Sequence, residues 1–176
     1  MNIHEVVKGF QALGYVTLGA GPKHPKGNPK TQLEIDAFLK QYPTIAQDQG
    51  FVEFLEYYSA AAVDWPNEQL TIEVYGFSPD ITLEIARPEE PLEDHNGFFR
   101  FAEILMIPVP DDEQAIASTY AMDVTGTRTA GIYQKFSVWS EDSRMMDYEW
   151  CCENFLVWLS RVVNAGGRLP MVDNTR

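Results

Sequence analysis

The sequence predicts an α+β fold: an antiparallel, mainly meander sheet of about five to six strands, with N-terminal helices and a C-terminal helix packed on it. Three observations lead there. The apolar period changes from 3.6 to 2 after Trp65-Pro66. The alternating runs that follow are separated by short turn signals, which suit strands joined to their neighbours. A strongly apolar helical run then closes the chain between Glu149 and Asn164. Helices grouped at the ends of a run of strands give an α+β layer arrangement.

The elements follow in order. Residues 3–13 read as a helix, because Ile3, Val6, Val7 and Phe10 recur at i, i+3, i+4 and i+7, with Gly14 placed to stop it. Tyr15–Leu18 is a short strand candidate. Residues 19–30 read as a loop, since Gly19, Gly21 and Gly27 alternate with Pro22, Pro25 and Pro29. Thr31 is a candidate cap for a second helix carrying Ile35, Phe38, Leu39 and Tyr42, ended by Pro43. Asp48 is a candidate cap for a third, carrying Phe51, Phe54, Leu55 and Tyr58. Each helix has one apolar stripe, so the two form a side-by-side pair.

Leu70, Ile72 and Val74 then alternate with polar positions, as do Ile81, Leu83 and Ile85, with a turn at Ser78-Pro79-Asp80. Residues 87–94 are too proline-rich and charged for an element. Asn96-Gly97 is a strong hairpin-turn signal. A long strand is predicted from Phe98 to about Val109, and two more near 117–124 and 131–139 flank a Thr/Gly turn. The closing helix is predicted over 149–164, with Cys151, Cys152, Phe155, Leu156, Leu159, Val162 and Val163 as its stripe. Trp150 is expected in the core. Trp158 lies off the stripe and, like Trp65, fits either a core boundary or an exposed anchor. The whole reads as a single domain over residues 1–176. It comprises an N-terminal helix and basic Pro/Gly loop (1–30), a core (31–163) and a tail (168–176).

Composition narrows the function classes. The chain has 176 residues and a net charge of −13. Residues 41–127 hold two arginines and seventeen carboxylates, or 2 − 17 = −15, whereas residues 1–40 carry +2 and residues 128–176 carry 0. Such a segment repels phosphate and anionic lipid, so nucleic acid and membrane surfaces are poor partners and a basic protein is a good one. The first residues lack the basic start of a secretory leader. The two cysteines are adjacent and ill-placed for an ordinary disulfide, which fits a reducing cytoplasm.

No motif points to catalysis, a cofactor or a metal. His4, His24 and His95 are scattered, and an Asp94/His95 pair with Ser118 or Cys151 has nothing in the sequence to bring it together. Gly19-Ala20-Gly21 departs from phosphate-loop patterns at Pro22 and His24. The acidic runs lack the alternating ligands of a Ca²⁺ loop. Cys151 and Cys152 read as small buried hydrophobes rather than metal ligands or a redox pair. The candidate partner-binding residues are Asp64, Trp65 and Glu68; Glu89, Glu90, Glu93 and Asp94; and Asp111, Asp112 and Glu113.

The order of segments carries a resemblance. Phe54-Leu55 in the third helix, Ile107-Pro108, the aspartate strand at Asp123, Gly131-Ile132-Tyr133 and Phe155-Leu156 follow one another over residues 31–163. This resembles the SMI1/KNR4 (SUKH) superfamily. The Asn-Gly expected after the third helix is here Ser59 followed by Ala60-Ala61-Ala62-Val63, and residues 1–30 have no counterpart. The resemblance implies an α+β fold and a cytoplasmic protein-binding role. Many members are immunity proteins that neutralise a toxin, often a nuclease, and no catalytic residue carries over. The expectation is a non-enzymatic module for a basic toxin, with monomer and dimer both open. The alternatives are a regulatory or structural interaction protein and a small enzyme acting on a cationic substrate.

Overall fold

The computed structural model describes residues 2–65, 70–76, 92–106, 115–139 and 147–167. Among them lie four helices and a seven-stranded antiparallel sheet in simple meander order, β1 to β7. The class is the expected α+β, with more strands than predicted.

Helix α1 (Ile3–Gln11) starts with a capping box: Asn2 accepts from the Glu5 N–H at 3.0 Å, and Glu5 accepts from the Asn2 N–H at 3.1 Å. Its predicted stripe of Ile3, Val6, Val7 and Phe10 is buried. Strand β1 (Tyr15–Leu18) follows. The loop from Gly19 then runs along the end of α3 (Gln49–Tyr57). Gly19, Gly21 and Lys23 donate backbone bonds to Ala60, Tyr57 and Glu56, and Lys23 Nζ meets Glu56 at 2.6 Å. A side chain at Gly21 would sit 2.4 Å from the Glu56 carbonyl, so close backbone approach requires glycine there.

Helix α2 (Thr31–Gln41) buries Ile35 and Phe38. Thr31 is its first residue and not its cap. Lys30 holds the cap position and makes no side-chain bond there. Helix α3 is capped as predicted, with Asp48 accepting from the Phe51 N–H at 3.1 Å. Just past its C-cap Tyr58, Ser59 takes a left-handed φ of 62°. This is the place where Asn-Gly was expected, and the Ser59 hydroxyl donates to the Leu55 carbonyl at 3.3 Å.

Two strands were not predicted. Strand β2 (Ala61–Trp65) follows directly, pairing β1 on one side and β3 (Leu70–Val74) on the other. Its alanines favour helix by propensity, and two flanking strands override that preference. Strand β7 (Glu149–Cys152) occupies the start of the predicted final helix. Helix α4 (Phe155–Asn164) begins only after Asn154, which caps it by accepting from the Val157 N–H at 3.0 Å. Cys151 and Cys152 therefore sit on a strand and not on the helix stripe.

Strands β4 (Phe98–Met106), β5 (Ala115–Asp123) and β6 (Ile132–Trp139) form the centre of the sheet, with a register shift in β4 between Arg100 and Ala102. The Asn96-Gly97 turn forms as predicted. Gly97 takes φ 76°, and Glu93 bridges to Phe99. The predicted strand over 81–85 lies outside the described residues.

One face of the sheet carries the helices. Ile72, Phe101, Ala102, Ile104 and Tyr120 pack in one core cluster with Phe51, Phe54, Phe155 and Trp158. Trp158 is fully buried, its ring 5.1 Å from both Phe101 and Tyr120. Trp150 is 45% exposed, against expectation: it lies on the edge strand β7, with its indole N–H bonded to the Ala130 carbonyl. Burying such aromatics contributes about 1.5–3 kcal/mol per side chain. Among the described residues no helix is long and apolar enough to cross a membrane.

Candidate functional site

Two places gather polar chemistry. The first is an open cleft of about 430 Å³ at one end of the sheet, lined by Asp48, Asp123, Arg128, Glu153 and Asn154 among others. Its carboxylates are largely committed. One Asp48 oxygen accepts from Phe51 N–H and the other from Phe155 N–H at 2.7 Å, so a single side chain satisfies the first turns of both α3 and α4. Burial pushes the Asp48 carboxyl above its ordinary range, and these N–H donors pull it only partly back.

Asp123 ends β5 and organises the following turn. It accepts from the Thr125 hydroxyl at 2.7 Å, from the Thr125 and Arg128 backbone, and from Arg128 Nη1 at 2.7 Å. Burial acts to raise its carboxyl, but these donors overcome that and hold it below the usual range. Arg128 also reaches the Asn96 carbonyl at 3.1 Å and lies 4.4 Å from the centre of the Phe98 ring. The pair thus fastens the β5–β6 turn to the Asn96-Gly97 turn. It is a structural tie.

The second place is the face of the sheet away from the helices. Strand alternation puts Asp64 and Glu73 there, because Leu70, Ile72 and Val74 face the core. Across the strands Ala62, Glu73, Glu103, Thr119 and Lys135 form one row, with Glu73 and Glu103 directly opposite. Burial pushes the Glu73 carboxyl up to about 7; a Tyr75 hydrogen bond lowers it and the charge of Glu103 raises it. The buried Tyr75 hydroxyl donates to Glu103 at 3.3 Å, and burial also pushes this phenol upward. Exposed Asp64 lies on the adjoining row, opposite Thr71.

Of the residues singled out from sequence, Asp64 is exposed on this face. Trp65 is placed in β2 by its backbone pairing with Leu70. Glu93 accepts from the Tyr42 hydroxyl, and Asp94 accepts from the Asn96 and Phe98 N–H groups, which makes it a turn former. The structure does not bring Asp64 and Asp94 together. Asp64 lies level with Leu105 and Asp94 with Phe98, seven residues apart along β4, or roughly 24 Å. Glu68, Glu89, Glu90, Asp111, Asp112 and Glu113 lie outside the described residues. Ser118 pairs with Ile104 inside the sheet, six residues along β4 from the Asp94 turn, so that pairing with Asp94 and His95 does not form. His4 is held instead by the Tyr58 hydroxyl at 2.8 Å.

Sequence reasoning missed Glu73, Glu103 and the second role of Asp48. Glu73 and Glu103 each occupy a polar position in a readable strand, but the register that opposes them is not written in either strand. Asn154 ahead of an apolar run was the signal for the true start of α4. No protein-family model, curated protein or solved structure matches the chain.

Proposed function

We propose that the chain is a protein-binding module that engages a basic partner through the face of its sheet opposite the helices, in the manner of the immunity proteins of the SMI1/KNR4 superfamily that its motifs resemble. The partner is a basic protein, with a toxin as the leading class. The observation that carries this reading is the Glu73–Glu103 opposition. Like charges directly across a strand pair are destabilising. A guanidinium or ammonium from a partner gains charge-assisted hydrogen bonds along this row. The chain's net charge of −13 favours the same class of partner.

A second reading has one observation in its favour. A carboxyl held at about 7, as in Glu73, suits acid–base chemistry on a cationic substrate. The two separate in one experiment. The product of the reading frame adjacent to this gene is purified and titrated with the full chain at 50 mM and 300 mM salt. The binding reading expects stoichiometric association that weakens with salt, and at least tenfold weaker binding by the Glu73→Gln/Glu103→Gln double variant. Association insensitive to both salt and the double variant overturns the acidic-face reading, and so does turnover of the partner or of a small cation.

A further inference from the structure

Strand β7 carries two adjacent thiols, and its register explains why they meet. Ile132 pairs with Cys152 and Tyr133 with Trp150, so one step along β6 spans two along β7. Cys151 is the extra residue of a bulge. In a regular strand neighbouring side chains point to opposite faces, and a bulge re-aims one of them. Here Cys152 is fully buried in the core, and Cys151 packs against the same core while staying partly exposed. Both sulfurs therefore lie on one side of the last strand of the sheet.

Their surroundings are asymmetric. Cys152 has one S–H and two acceptors: the Asn154 carbonyl at 3.7 Å and the Cys151 sulfur. From α4, Arg161 donates to the Cys151 carbonyl at 3.1 Å, which sets a guanidinium beside that residue. Glu153 supplies a weaker opposing charge. From the core, Tyr120 approaches with a phenol that burial keeps protonated. The Cys152 hydrogen bond, ahead of Arg161, brings the Cys151 thiol down to about 7 against the cost of burial, while the same contact pushes Cys152 upward.

We propose that Cys151 is a modification site: its thiolate attacks peroxide-class oxidants with Cys152 as a built-in hydrogen-bond donor, and the product then takes up a small thiol. In the first step a sulfur lone pair attacks one peroxide oxygen. The S–O bond forms, the O–O bond breaks and hydroxide leaves, so sulfur is oxidised by two electrons and the peroxide is reduced. In the second step a small thiolate attacks the Cys151 sulfenic sulfur. The S–S bond forms, the S–O bond breaks and hydroxide leaves, to be protonated to water. Cys152 does not resolve the intermediate. Consecutive Cα atoms across a trans peptide are about 3.8 Å apart, short of the roughly 4.4–6.8 Å that disulfides span.

The expected gain in rate is modest. At pH 7 a thiol with a midpoint near 7 is about sixteenfold more ionised than one near 8.5. Its lower basicity costs about fivefold in nucleophilicity, which leaves about a threefold advantage. The pH profile is therefore the sharper readout. The full chain is treated with hydrogen peroxide and glutathione and mapped by peptide mass spectrometry. Iodoacetamide alkylation is followed from pH 5 to 10. The expected result is a single glutathione adduct on Cys151, absent in Cys151→Ser, with an alkylation midpoint near 7 that moves up in Cys152→Ala, which deletes the donor. An adduct on Cys152, a Cys151–Cys152 disulfide as the main product, or a wild-type midpoint near 8.5 overturns the proposal. The wild-type profile and map decide it even where a variant fails to fold.

Discussion

The two faces of the sheet use carboxylates in opposite ways. At the end of the helix-covered face, Asp48 is surrounded by donors, and its two oxygens close the first turns of α3 and α4. On the face away from the helices, Glu73 is set opposite another carboxylate, Glu103, and is partly withdrawn from water. The first arrangement ties two helix starts together, and its N–H donors offset part of the cost of burying the charge. In the second, burial disfavours the ionised form of Glu73, and the charge of Glu103 adds to that. A residue kept where it costs stability is a candidate for function, whereas a satisfied one is explained by the fold.

The largest effect expected from breaking this contrast is at Asp48. Replacing it with alanine removes the acceptor for two helix N-termini and leaves the Phe155 and Phe51 N–H groups without it. Each lost cap costs about 1 kcal/mol, and a partly buried unpaired donor adds to that, so Asp48→Ala should lose about 2–4 kcal/mol in urea unfolding at pH 7. Asp48→Asn keeps one oxygen acceptor and should recover a part. A loss under about 0.5 kcal/mol in the alanine variant means that water replaces the carboxylate and the bridge between α3 and α4 is not what holds their ends.

Glu73 should respond with the opposite sign. Its folded midpoint, about 7, lies above the unfolded carboxylate value near 4.3. The folded state therefore binds the extra proton between those values, and stability falls as pH rises through this window. Below about 4 the carboxyl is neutral in both states and the penalty vanishes. Above about 8 it is fully present. Glu73→Gln should therefore stabilise the chain by about 1–2 kcal/mol at pH 8, after discounting for solvent screening, and change little at pH 4. Thermal melts at the two pH values read this directly. Equal effects at both would show that packing rather than charge is at issue.

The same contrast explains what was legible in the sequence. The helix-facing side was readable because burial imposes a period: Ile3, Val6, Val7 and Phe10 in α1, and Leu70, Ile72 and Val74 in β3, all lie in the core. Asp48 was readable as a cap of α3, because capping is local. Its bond to Phe155, 107 residues away, was not. Strand β2 was hidden because an alanine-rich run has no strand signature of its own and takes its conformation from β1 and β3. Strand β7 was hidden because the apolar period of α4 extends backwards through Cys151 and Cys152 by coincidence. The bulge that places both thiols toward the core is what imitates a helix stripe. On the face away from the helices, Glu73 and Glu103 looked like ordinary solvent-facing positions, and only the pairing of β3 with β4 makes them a pair. The acidic loops drew attention by composition. Of their described members, Glu93 and Asp94 are engaged with Tyr42 and with the Asn96-Gly97 turn.

Asp64 gives the smallest effect on the fold and the finest discrimination between the two uses of charge. It is exposed on the face opposite the helices, level with Thr71. Asp64→Lys should therefore leave the urea midpoint within about 0.5 kcal/mol of wild type at pH 8, where Glu73→Gln moves it. If this face receives a basic partner, the same reversal should slow association several-fold at low salt and lose its effect at high salt, because exposed charges at the rim of a contact act mainly by steering. A change in dissociation rate that persists at high salt would place Asp64 inside the contact instead, and would move the centre of the binding face from the Glu73–Glu103 row toward β2 and the sheet edge at β1.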